Sequence, residues 1–218
     1  VLDAIIDRRW SGMTSDAIAA RIRVLAIVGV AGVLAFALVC LAAQFLRTDL
    51  DWIAAPLSYY LTGAYGEAVI AAYVALAVAL AALGAGFYSH LPPSARSAAP
   101  LLLFVVGALA LAITALSEAA KAHGNAGMWE AVHLAAAETT FLCVTVAMLL
   151  QSWWLRYDAR WRGNFAFAFA WALATCAALW IYALGRSLPR GLSQKCVIAL
   201  ILFWLGWAAI KLWRKAAR

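Results

Sequence analysis

Four side chains in this sequence are of the types that carry hydrolytic chemistry: Ser58, Glu118, His133 and Glu138. In an acid- or metal-assisted hydrolase a histidine moves the proton, a carboxylate orients it, and a hydroxyl or water attacks. Glu130 stands three residues before His133 and shares its helix face. Glu-x-x-His is the spacing that di-metal carboxylate bundles use twice, and it occurs here once. A single zinc would want three or four ligands, for which Glu118, His123, Glu130 and His133 are weak candidates. The plainer expectation is an interfacial loop whose acids, histidines and Lys121 are solvated, with no metal, and no cofactor is required by the sequence. Ser58, Ser117 and Ser193 lack a Gly-x-Ser-x-Gly setting. No two histidines lie deep in separate spans, as haem held across a membrane would need.

Glu138 is the costliest of these residues. It sits about six residues into the apolar run Val132–Leu155, where the only other titrating acid or base is His133 near the start. At ~1.5 Å per residue it lies roughly 9 Å beyond the start of that run. An ionised carboxylate at such depth costs a few kcal/mol or more unless it is paired, hydrated or protonated. Two readings follow: a carboxyl bonded to a neighbouring helix, or a proton-, ion- or headgroup-binding group in a cavity. Around the helix it is about 140° from His133, so the two would not naturally chelate one ion.

The elements that must position these residues are membrane helices. Hydrophobic residues make up 67% of the chain, charged residues 12%, and mean hydropathy is +0.89. A soluble domain is about half apolar and one quarter charged. Six apolar runs read as spans: Val24–Leu46, Glu67–Tyr88, Leu101–Ser117, Val132–Leu155, Ala166–Gly185 and Cys196–Leu212. They are apolar on all faces, without the alternation of barrel strands. The expected fold is therefore all-α, a polytopic transmembrane six-helix bundle, with residues 1–23 as a cytoplasmic or interfacial segment and 24–218 as the membrane domain. Turn words separate the spans at Pro92-Pro93, Gly124–Gly127 and Pro189–Gly191.

Charge sets the expected orientation. Twelve Lys and Arg fall on the side of the termini and five on the other, so the positive-inside rule places both termini in the cytoplasm. The basic residues are scattered over short loops, which argues for lipid headgroups as partners and against nucleic acid. The first apolar run exceeds the ~7–15 residues of a cleaved signal, which suits a multi-pass protein of a bacterial inner membrane. Trp52, Tyr59, Tyr60 and Tyr65 on the outer side, and Trp153, Trp154 and Trp161 on the inner, are expected as interfacial anchors. Cys40, Cys143, Cys176 and Cys196 form no CxxC pair and are expected as buried free thiols.

Four segments in order carry a family likeness: Pro56–Gly66 before the second span, Gly127-Met-Trp-Glu-Ala-Val-His133 entering the fourth, Arg156–Arg162 in the following loop, and Gly191-Leu-Ser-Gln-Lys195 entering the sixth. With them the chain, from Val24 onward, resembles bacterial six-span proteins of the domain-of-unknown-function family numbered 998. The resemblance implies a compact six-helix bundle with termini inside and no established activity. It further implies an acid ending the third span and a histidine opening the fourth, here Glu118 and His133, although Asp is more usual at the first. These two and the Ser58–Tyr60 segment are then expected to converge on the outer side.

Three functions remain as expectations. The first is a non-catalytic membrane protein that binds lipid or hydrophobic small molecules, or serves as an accessory subunit of a larger membrane complex. The Gly29/Gly32 pair would suit close helix contact with the bundle or with a partner. The second is an intramembrane lipid hydrolase using Ser58, Glu118, His133 and Glu138. The third is a small proton-coupled carrier that uses Glu138.

Overall fold

A computed structural model describes residues 14–121, 124–185 and 187–216, and the regular structure among them is helical throughout. Six helices are long and apolar enough to cross a membrane: α1 (Ser15–Leu46), α2 (Gly66–His90), α3 (Ala98–Lys121), α4 (Ala126–Leu155), α5 (Phe165–Leu184) and α6 (Arg190–Ala216). Short 3₁₀ segments at Leu57–Leu61, Pro93–Ala95 and Arg162–Asn164 lie in the connections.

Most of the helices outrun the apolar spans read from the sequence. Hydropathy registers only the lipid-facing stretch, whereas helical hydrogen bonding continues through polar turns until a cap ends it. In α4 the cap is Asn125, whose side chain accepts from the Met128 N–H at 3.2 Å. Glu130 and His133 therefore belong to the first turns of a helix and not to a loop. Likewise α1 starts at Ser15 and runs unbroken past residue 23 into the membrane span.

Consecutive helices pack side by side and α6 returns against α1, which closes the ring; α2 also reaches α6 across it. Short connections make neighbours antiparallel. The loop 47–65, the end of α3 with the start of α4, and the end of α5 with the start of α6 thus lie at one end, called upper here, and loops 91–97 and 156–164 at the lower end. Gly29 and Gly32 serve the contact of α1 with α2 inside the bundle: a Cβ at Gly32 would lie 2.5 Å from the Ala75 carbonyl oxygen. Mid-bundle, Trp204 is fully buried. Its Nε1–H donates to the Ala168 carbonyl at 3.1 Å, and its ring packs on Phe87 and Phe104.

The lower end is a closed knot. Arg160 forks onto buried Asp158, with Nη2 at 2.7 Å from Oδ2, and also donates to the His90 carbonyl at 3.0 Å. Burial pushes the Asp158 carboxyl up, but the Arg160 bonds prevail and hold it below the usual carboxylate range. Trp161 folds inward against Phe87 and His90, with Lys215 over its ring.

Two expected interfacial anchors are thereby corrected. Trp161 and Tyr60 are both 0% exposed, because each lies in a connection that turns back under the helix ends. A Trp or Tyr at the end of a span looks the same in sequence whichever way its loop folds. Trp52, Tyr59 and Tyr65 are exposed, Trp153 is partly exposed beneath the Arg156 guanidinium, and Trp154 is half-buried. The cysteines also depart from expectation. All four are free, but only Cys40 is buried, and Cys196 is exposed on α6.

Candidate functional site

The upper end is framed by the loop 47–65, and Arg47 organises it. Its Nε and Nη2 donate to the two carboxylate oxygens of Asp49, each at 2.7 Å. Nη1 donates to the carbonyls of Thr62 at 2.6 Å and Ala64 at 3.4 Å. The bond to Arg47 is the chief cause holding the Asp49 carboxyl below its usual range. Gly63 turns under this guanidinium with φ +74°, a left-handed conformation that glycine adopts without strain.

The loop then docks on the start of α6. The first N–H groups of a helix have no partner within it. Here those of Gly191 and Leu192 donate to the carbonyls of Ala54 at 3.1 Å and Ile53 at 2.8 Å. Gln194 Oε1 accepts from the Leu57 N–H at 2.8 Å, and Lys195 Nζ donates to the Trp52 carbonyl at 2.5 Å. The segments around Pro56–Gly66 and Gly191–Lys195, far apart in sequence, thus form one interface.

Facing it, α3 and α4 carry a chain of charges. Lys121 Nζ stands between two carboxylates, at 2.6 Å from Glu118 Oε1 and in a closer contact with Glu130. Glu118 Oε1 is 3.1 Å from His133 Nδ1. That same Nδ1 is 2.9 Å from the Thr114 carbonyl and 3.4 Å from Ser117 Oγ. A carbonyl only accepts, so Nδ1 carries a proton and donates it, shared with Glu118. Nε2 is the nitrogen left for an occupant of the space beyond.

That space is a cavity of about 690 Å³. Its polar wall includes Arg47, Ser58, Glu118, Lys121, Glu130, His133, Glu138, Arg190 and Gln194; Leu134, Leu142, Leu179 and Trp180 supply an apolar side. Below it an apolar chamber of about 70 Å³, lined by Phe36, Tyr73, Leu76, Leu111 and Leu205 among others, reaches the middle of the bundle. Ser58, His133, Ala137, Phe141 and Gln194 line both spaces, which adjoin there.

Ser58, Glu118, Glu130, His133 and Glu138 therefore share one cavity; His123 lies outside the described residues. Glu138 is exposed in the cavity wall and has no hydrogen-bond or ion-pair partner among the described residues. The expected alternative, a carboxyl bonded to a neighbouring helix, does not hold in this arrangement. Thr139 and Thr140 beside it bond back to their own helix, at the carbonyls of Ala135 and Ala136. Among the described residues no group of three or more His, Cys, Asp or Glu is placed to hold a metal ion. The Lys121 ammonium already stands between Glu118 and Glu130. Sequence reading missed Arg47, Arg190 and the Ser117–Thr114 partners of His133. The Arg47-x-Asp49 pair at the end of a span was the available signal for the first.

Six membrane-length helices around a cavity that is polar at one end and apolar below define a membrane-type helical bundle. The chain belongs to the DUF998 family, proteins of unknown function, whose family model matches residues 30–211. No curated protein and no solved structure matches it.

Proposed function

We propose that this protein binds a lipid-like amphipath, its polar group in the upper cavity and a short apolar end against the small chamber beneath. The observation that carries this reading is that the two spaces adjoin, with Ser58, His133, Ala137, Phe141 and Gln194 in the walls of both. The lower end closes over with Trp161 and the Asp158–Arg160 pair, which favours a blind pocket over a conduit and so a binder over a carrier. Binding sites of this kind are largely apolar with a few convergent polar groups. The test is the native mass spectrum of the full chain released gently from its membrane. The native protein is expected to retain lipid-sized adducts, and Ala137→Trp, which fills the boundary between the two spaces, to lose most of them. Leu109→Trp, on the outer surface of α3, should keep them. An unchanged adduct pattern in Ala137→Trp, or none in the native chain, overturns the reading.

The histidine favours a second reading, a hydrolase acting on a bound ester amphipath. Nδ1 is held by a carboxylate and a carbonyl, and Nε2 is left for the cavity that Ser58 also lines. That is how a general base is presented to a hydroxyl or water nucleophile. Turnover of a long-chain ester, lost in His133→Ala, would support it; no turnover by the purified chain would sink it.

A further inference from the structure

We propose that the cavity selects amphipaths with a zwitterionic, ammonium-bearing headgroup, the ammonium on Glu138 and the anionic group on Arg190. This rests on the amphipath reading above and sharpens it. Most of the charges around the cavity are already matched. Arg47 is forked by Asp49, and Lys121 is shared by Glu118 and Glu130. Two remain without an oppositely charged partner among the described residues: Glu138 and Arg190, both in the cavity wall. Arg190 stacks over the Tyr182 ring at 4.9 Å and gives one bond, 3.3 Å, to the Tyr182 carbonyl. A guanidinium has five N–H donors, so most of its fork is left for an anion.

The setting of Glu138 says what it should meet. It lies between Leu134 and Leu142 on one stripe of α4, and Trp180 of α5 lines the same cavity. Leu134, Leu142 and Trp180 are each about half exposed, so this apolar side of the cavity is the one an acyl chain in a bilayer would meet. A carboxylate there, flanked by leucines and lacking a protein cation, is costly in lipid. A ligand ammonium would offset that cost, and an indole face beside it adds a cation–π contact. With Asp49 counted beside Arg47, carboxylates around the described cavity outnumber Lys and Arg by one. This excess disfavours a purely anionic headgroup.

The test titrates the full chain in a mild detergent with lysophosphatidylethanolamine or lysophosphatidylglycerol of equal chain length, and reads occupancy by native mass spectrometry. The native chain is expected to prefer the ethanolamine probe by about tenfold, the scale of one charge-assisted contact. Glu138→Gln should erase the preference while the glycerol probe still binds. Glu138→Asp, which keeps the charge, should retain a preference, and Arg190→Gln should weaken both probes. Equal binding of the two probes by the native chain, or a preference that survives Glu138→Gln, overturns this inference and leaves the amphipath reading standing. Binding of neither probe overturns both.

Discussion

Lys121 holds the charges of the site together. It ends α3, and its ammonium is the only Lys or Arg group paired with Glu118 or Glu130 among the described residues. The Glu118 side chain is 11% exposed, so removing the cation leaves a mostly buried carboxylate with only the proton that His133 Nδ1 shares with it. Stranding one partner of such a pair costs on the order of 1–3 kcal/mol. Lys121→Met should therefore lower the thermal midpoint in detergent, and adding Glu118→Gln should recover part of the loss by removing the stranded charge. Strictly additive losses would mean that the three groups do not act as a unit. At this scale the sequence was only partly legible. That Glu118 and His133 would meet was implied by the family resemblance, which has an acid ending the third span and a histidine opening the fourth. Lys121 could not be assigned a partner, since its reach to Glu130 depends on how the α3–α4 turn folds. Glu138 was recognised as costly, but that it would stand unpartnered in a cavity wall depends on the packing of α4 against α5.

Among the elements, the contact of loop 47–65 with the start of α6 decides whether the cavity has a roof. Gly191 sits where that loop crosses the helix, and a Cβ there would run into the carbonyls of Ala55 and Ile53. Gly191→Ala should therefore push the loop away and weaken the bonds that Gly191 and Leu192 give to Ala54 and Ile53. Overpacking of this kind costs about 1–3 kcal/mol. Faster hydrogen exchange at Gly191, Leu192 and Leu57 is the expected signature, together with weaker retention of amphipath. Gly163→Ala is the control: a Cβ there meets nothing within 4 Å, so stability and exchange should not change. Exchange at Leu57 as slow in Gly191→Ala as in the native chain would refute this role for the contact. The six helices themselves were legible, since twenty apolar residues in lipid have few alternatives. The loop was not, because its course is set by the Arg47 fork and by two backbone bonds between segments far apart in the chain. Neither leaves a periodic trace.

For the whole molecule, the two ends differ in kind. The upper end holds the open polar cavity, while the lower end is sealed by Trp161 and the Asp158–Arg160 pair. The lower end and the termini carry most of the Lys and Arg, twelve against five, and positive charge in short loops is retained on the cytoplasmic side. The cavity should therefore face away from the cytoplasm and sample the outer leaflet through the α4–α5 side. Single cysteines can read this directly once the exposed native Cys196 is replaced by Ser. Thr48 is exposed in the upper loop and Gly163 has open space around it at the lower end, so Thr48→Cys and Gly163→Cys should both fold. A membrane-impermeant maleimide added to intact cells is expected to modify Thr48→Cys and to spare Gly163→Cys until the membrane is opened. The reverse pattern would invert the protein and turn the cavity to the cytoplasmic leaflet. Any amphipath it binds would then have to be supplied from inside the cell.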